Sequence, residues 1–500
     1  MKLFKNKKVL VAVSAAVLMG SMSCRKTFDI NQDPNNPTLE VGTPKIVFPV
    51  SVMGVAAVEG GDLAIIGGIL GEFVTQAAAA SQYKNVDQYD LKTTDFNAPY
   101  STLYTYGLKN LQFVIDKAKE SEDWNFYLMG TVMKAYATAN LVDLYDKVPY
   151  SEALQGINNL TPKFDDGYTI YKSLLAELDT ALSKDFSART VIDLRATHEG
   201  NVDLIFGGDI SKWKQFANTL ELKLYLRMIN AKPEEAKAGI EALYAANASF
   251  LTEDAKVTGF SDNPSKSNPL YEQNIRQLNI GTNLVASRTF VTFLQAHSDP
   301  RIKDYFLNST GGSSVTGLDQ GDFINNSPAA LAASVFRESP TDPVVFLSAA
   351  ESYFLQAEAR VRYFAGNGAK TLYDNGVLAA FNSVGEDGSS FIAAGGEYAY
   401  PSGTADQNIE AIIVQKWASL PYGVHFIEAW FDRNRTGFPK SSPVYSTDPS
   451  YVAGQFVTSK NSVLGAGQYP KRLVFPDAEI STNPNTPALV PITTPVWWGL

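Results

Sequence analysis

The sequence predicts an all-α fold: a scaffold of about four helix pairs carrying an irregular, loop-rich half. Three observations predict it. Apolar stripes recur at helical spacing near 99–143, 168–230, 344–385 and 407–436, glycine turns punctuate them, and the stretch from Leu251 to Pro343 is instead rich in Asn, Ser, Gly and Pro.

The N-terminus is set apart from that body. Lys2, Lys5, Lys7 and Lys8 precede an apolar run from Val9 to Gly20. This is the length of a secretory signal, well short of the roughly 20 apolar residues that span a membrane. Ser21, Met22 and Ser23 then place small residues against Cys24, the sole cysteine. The arrangement resembles a bacterial lipobox, which implies a diacylglycerol thioether on Cys24, cleavage before it and acylation of the new N-terminus. Residues 1–23 are therefore expected to be a signal peptide and 24–43 a lipidated tether, since Pro34 and Pro37 interrupt an Asn/Asp-rich stretch. Residues 44–500 are expected to form one body.

Within the body, Leu128, Val132, Ala135, Ala139 and Val142 mark one helix face, and Phe126, Met129, Met133 and Tyr136 mark another. A helix apolar on two faces is sandwiched between neighbours. Trp213, Phe216, Leu220 and Leu224 form a second stripe, with Ser211 as the expected N-cap. A third stripe, Leu347, Ala350, Phe354, Ala357, Val361 and Phe364, closes at Gly366-Asn367-Gly368 and is followed by Leu372, Gly376, Ala379 and Ser383, which predicts two antiparallel helices. Helix pairs of this size resemble tetratricopeptide units, although no clean self-match recurs at their period of about 34 residues. The insertion at 251–343 reads as loops laid over the scaffold, where binding residues tend to sit.

Composition bounds the chemistry. Hydrophobic residues make up 45% of the 500, enough for a sizeable core. Loss of the signal removes four of 42 basic residues and none of 52 acids, leaving a net charge near −14. Such a surface repels phosphate backbones, so nucleic acid is not an expected partner. With Cys24 lipidated no disulfide can form, and zinc-ribbon or thiol chemistry is excluded. His198, His297 and His425 lie in no metal-ligand spacing, and no HExxH, GxSxG or phosphate loop occurs. No cofactor, metal or catalytic residue is therefore expected. His297-Ser298-Asp299 is not a triad, because consecutive residues point apart. Asp432, Arg433 and Arg435 could form a substrate clamp, but a buried ion pair fixing the last helix is the favoured reading.

Several ordered segments carry a family resemblance. They are Asn31 to Thr38 (NQDPNNPT), Leu141 to Tyr150 (LVDLYDKVPY) with Glu152-Ala153-Leu154, Trp213 with Phe216 to Leu220, Asp299-Pro300-Arg301, Glu351 to Glu358 (ESYFLQAE), Gln415-Lys416-Trp417, Trp430 to Gly437 (WFDRNRTG) and Trp497-Trp498. Together they resemble the SusD/RagB family of nutrient-binding outer-membrane lipoproteins, in its SusD-like branch. The resemblance implies four tetratricopeptide-like units beneath a ligand-binding half. It also implies a lipid-anchored, surface-facing protein that captures an oligosaccharide, or in some branches a peptide, and passes it to a SusC-like TonB-dependent transporter without catalysis.

Sugars present hydroxyl rims and apolar faces, so a site needs aromatic platforms beside amides or acids. Relatives draw their site from the early loop and the central loop region. Aromatics in polar, non-periodic surroundings there are Tyr83, Tyr89, Tyr100 and Tyr271, with Gln82, Asn85, Gln273, Asn274 and Asn283 as hydrogen-bonding neighbours. Two other readings compete: a surface glycosidase or peptidase using a carboxylate pair, and a helical scaffold that binds proteins.

Overall fold

The computed structural model describes residues 42–187, 202–309 and 311–500. Cys24, the lipobox, most of the tether and His198 lie outside the described residues.

Helix α1 (Pro44–Glu59) starts on a proline, which suits a position whose N–H has no helical partner. It leads into α2 (Asp62–Leu70), buried at every position after Asp62. A π-helical turn at Leu103–Leu108 continues into α3 (Lys109–Glu120), which pairs with α4 (Trp124–Tyr145). Asp123 caps α4 by accepting from the Phe126 N–H at 3.4 Å. The two apolar faces of α4 are accounted for: α3, α5 (Gly167–Leu182) and α6 (Ile210–Arg227) all pack on it. The cap of α6 is Asp209 rather than Ser211. Its carboxylate accepts from the Ser211 and Lys212 N–H groups, and the Ser211 hydroxyl donates to it at 2.6 Å. An acid two residues earlier thus takes the orphan donors.

Helix α7 (Pro233–Ala245) covers α6, and α8 (Arg288–Ala296) is the longest α-helix of the loop-rich half. The third stripe forms α9 (Ala349–Tyr363) and α10 (Ala369–Asn382). Their turn needs the glycines, since Gly366 and Gly368 have φ of 75° and 81°. Helices α11 (Ala405–Ser419) and α12 (Ile427–Thr436) complete the scaffold. Gly67 lets α2 meet the start of α12, because a Cβ there would lie 2.2 Å from the Ile427 nitrogen.

The fold is all-α with small strand additions: β1 (Val74–Gln76), β2 (Lys147–Pro149), β3 (Phe164–Asp166), β4 (Ala255–Val257), β5 (Leu284–Ala286), β6 (Phe306–Leu307), β7 (Val335–Phe336) and β8 (Val344–Leu347). One sheet runs β1-β5-β7-β6, antiparallel, with Val74 opposite Ala286 and Gln76 opposite Leu284. It ties the early loop to the central region. One large core gathers Phe48, Leu128, Trp213 and Trp498, and a second gathers Phe73, Phe290, Phe354 and Trp417.

A buried ionic network spans both cores. Glu428 on α12 lies 2.8 Å from Lys223, 2.9 Å from Arg227 and 3.0 Å from Lys416. Lys223 and Lys416 also reach Glu351 at 3.0 and 3.1 Å, while Arg227 reaches Asp143 at 3.2 Å. His425 bridges Glu59 at 2.8 Å and Glu351 at 3.2 Å. Burial disfavours its charge, but the hydrogen bonds to Glu351 and Glu59 outweigh that and raise it to about 9. Further along α12, Arg435 holds Glu358 at 2.6 Å and Asp432 at 3.0 Å. Asp432 and Arg435 are thus the buried ion pair favoured from the sequence.

Candidate functional site: a cleft between the scaffold and the central loops

A cleft of about 550 Å³ opens where the outer face of α1 (Met53, Ala57) and the start of α2 (Asp62) meet the segment from Thr258 to Gln277. This is the size of small-molecule sites, about 300–1,000 Å³. The segment is shaped locally. After β4 pairs with β8, Gly259 takes φ 90° and Ser265 φ 61°, and a tight turn closes with the Ser261 N–H donating to the Lys266 carbonyl at 2.9 Å. Asn268 then accepts from the Leu270 and Tyr271 N–H groups and donates to the Asp342 carbonyl. That anchors Tyr271–Gln277, which winds as a π-helix, a geometry enriched at functional sites.

The wider π turns place Glu272, Gln273 and Gln277 along the cleft. Gln273 donates to Asp62 at 3.1 Å, while its own carbonyl oxygen is buried without a partner. An unanswered acceptor of this kind costs about 1–3 kcal/mol until something donates to it. Burial raises the Asp62 carboxyl, opposed by that same Gln273 bond. Glu272 is held by Arg276 at 3.1 Å, and the Arg276 guanidinium sits 5.4 Å from the centre of the Tyr271 ring. Half-buried Phe260 supplies an apolar wall, with Ser261, Ser265, Ser267 and Thr258 beside it. The cleft therefore offers one aromatic face, amides, hydroxyls and two tied carboxylates.

Behind it runs a buried chain of hydrogen bonds. Tyr83 donates to Asn274 at 3.1 Å, and Asn274 donates to Glu338 at 2.7 Å. Burial pushes the Glu338 carboxyl up to about 8 and the Tyr83 hydroxyl well above its ordinary value. The Tyr83 N–H donates to Gln76, whose amide donates to the Asn283 carbonyl at 3.2 Å. The structure thus brings Tyr83, Gln273, Asn274 and Asn283 into one region although they are far apart in sequence. Tyr271 opens the π-helix, Asn85 is half-buried and Gln82 is exposed.

Tyr89 and Tyr100 do not join them. Tyr89 is buried beside Tyr469, its hydroxyl accepting from the Ser459 N–H at 3.3 Å. Tyr100 packs on Tyr104 and Tyr145 and lines a separate cleft of about 330 Å³ with Pro149, Pro476 and Glu479. Asp62 and Phe260 belong to the candidate site but escape sequence reasoning. The first reads as an ordinary acid in a helix's first turn and the second as an isolated aromatic, and the only signal was the polar run SDNPSKSNP beside Phe260.

Glu351, His425 and Glu428 present ligand atoms within 4.8 Å of one another. The donor set does not suit a metal. Both His425 nitrogens face carboxylates, and the ammonium groups of Lys223 and Lys416 already neutralise Glu351 and Glu428. His297 and Asp299 form no triad either, since Asp299 is paired with Arg301 at 2.6 Å and His297 Nδ1 faces the Phe293 carbonyl.

Comparison with solved structures gives close fold matches. A SusD homolog from Bacteroides uniformis superposes with a TM-score of 0.73 at 22% identity, covering 91% of this chain and 99% of that one. A chitin-binding SusD homolog from Flavobacterium johnsoniae gives 0.67 at 23%, covering 92% and 96%. A SusD-like protein from Bacteroides thetaiotaomicron gives 0.69 at 20%, covering 91% and 98%. Comparison with curated proteins gives no match. A family model described as starch-binding associating with outer membrane matches residues 68–454, well over half of the sequence. The helical scaffold, the loop-rich half and that match lead to one conclusion: the chain belongs to the SusD-like family.

Proposed function

We propose that this protein is an outer-membrane lipoprotein that captures a neutral oligosaccharide in the 258–277 cleft and delivers it to a SusC-like TonB-dependent transporter. The observation that carries the reading is the cleft that the half-buried Phe260 ring lines together with amide and hydroxyl side chains. A sugar would stack its C–H face on the ring and hydrogen-bond to the surrounding amides and hydroxyls. Asn274, Tyr83 and Glu338 would hold the π-helix in place from behind, and Tyr271 would act at the rim. The named chitin-binding relative supports glycan as the ligand class. Capture without catalysis is favoured by the family description, which names binding and no reaction. Cys24 would supply the lipid anchor and residues 25–43 the tether.

Affinity electrophoresis of the full-length protein through gels containing starch, chitin oligomers or other glycans tests the capture. Retardation by at least one glycan is expected, and uniform mobility in all of them would refute it. Co-purification from outer membranes with a TonB-dependent barrel tests the delivery step.

A further inference from the structure

The arginine singled out in WFDRNRTG that the ionic core does not use is Arg433. Arg435 turns inward to Glu358, whereas Arg433 lies over the Tyr469 ring at 3.8 Å and donates to the Ser441 hydroxyl at 2.7 Å. It is 9% exposed, yet no carboxylate among the described residues lies within ion-pair distance, and its Nε has no hydrogen-bond partner. A buried guanidinium without a counter-charge is costly and rare. The carboxyl whose field reaches it, Glu72, is pushed by burial to about 8 and is occupied by Thr289 and the Val457 N–H.

Arg433 lines a cleft of about 440 Å³ at the end of α12, with Asn434, Ser441, Gln468, Tyr469 and Lys471. Burial, and then the neighbouring Arg433 charge, lowers the Lys471 ammonium, so the two cations repel each other. Lys471 donates one of its three N–H groups to the Leu500 oxygen, and the Arg433 guanidinium donates to the Ser441 hydroxyl. Two cations and no acidic side chain in one cleft stand out on a chain whose net charge is −10.

We propose that this cleft binds an oxyanion, a carboxylate, sulfate or phosphate group, on the Arg433 guanidinium, with Lys471 as the second cation and the Asn434 and Gln468 amides completing the shell. The planar guanidinium is held flat against Tyr469 and lines the cleft, a geometry that suits an oxyanion. The site shares no lining residue with the 258–277 cleft and stands independently of the glycan reading. The ligand would be an acidic sugar or a free inorganic anion.

Calorimetric titration of the full-length protein in detergent, at fixed ionic strength, decides this with glucuronate, sulfate, phosphate and uncharged glucose. Saturable binding of at least one oxyanion and none of glucose is expected, with Lys471→Gln weakening it roughly tenfold and Arg433→Gln abolishing it. Glucuronate alone would identify a sugar acid as the source, and sulfate or phosphate an inorganic anion. No saturation by about 10 mM, or unchanged affinity in folded Lys471→Gln, would overturn the proposal.

Discussion

Replacing Glu428 by glutamine keeps the shape of the side chain and removes one charge from the centre of the ionic network. In the folded protein that carboxylate is 1% exposed and faces three cations, Lys223, Arg227 and Lys416, at 2.8 to 3.0 Å. The glutamine amide would turn a donor toward at least one of them. Glu351, Asp143 and Asp432 would then have to answer cations they now share with Glu428. Breaking a buried pair costs about 3–5 kcal/mol because the partner charge stays buried. At about 2.1 cal/mol/K per residue, roughly 440 described residues give an unfolding entropy near 0.9 kcal/mol/K, so Tm should fall by about 3–5 °C. Urea and thermal melts of Glu428→Gln measure it. Lys117→Gln, which removes the exposed Lys117–Glu120 pair at 2.8 Å, is the control and should cost under about 1 kcal/mol. If the two variants lose the same stability, the network is screened by solvent and the reasoning fails.

Other perturbations probe separate links. His425 has a folded value near 9 against an ordinary 6.5, so its contribution is complete below about pH 6.5 and disappears as pH rises through 9. His425→Gln should therefore lose about 3 kcal/mol relative to wild type at pH 6 and little at pH 9.5. A gap independent of pH would contradict this. The wild-type curve also carries Glu72, Glu221 and Glu338, pushed by burial to about 8, which lower stability as pH rises above the ordinary carboxylate range. Gly67→Ala would drive a methyl into the Ile427 backbone and should cost about 3 kcal/mol by urea denaturation, with a neutral result placing slack at the α2–α12 contact. Cys24→Ser should move the protein from the detergent phase to the aqueous phase on Triton X-114 partition, and unchanged partition would argue against a lipid there.

The scaffold was legible because its signals are periodic. The double stripe of α4 implied neighbours on both faces, and α3, α5 and α6 supply them. The Gly366-Asn367-Gly368 turn was equally plain. Local competition was harder to read: Ser211 and Asp209 are both good caps, and the charged group takes the helix end. Strands of two to four residues within 251–343 are too short for alternation to register. In the candidate site, Tyr83 and Asn274 share the polar surroundings that marked them, and a hydrogen bond joins them. Tyr89 and Tyr100 sit in equally polar sequence but pack elsewhere, one against Tyr469 and one against Tyr145, contacts nearly 400 and 45 residues away that local sequence cannot report. Beyond the Asp432–Arg435 pair the ionic network was invisible for the same reason, since its charges come from six helices and the His425 turn.

Glycan capture in the 258–277 cleft is tested by isothermal titration of the full-length protein in detergent with the glycan that retards it most, alongside Phe260→Ala and Gln273→Ala. Each variant should keep the wild-type Tm within about 2 °C. Loss of the Phe260 ring should weaken binding roughly tenfold or more, from about 1.5–3 kcal/mol of apolar contact. Wild-type affinity in both folded variants would place the ligand elsewhere and contradict the account.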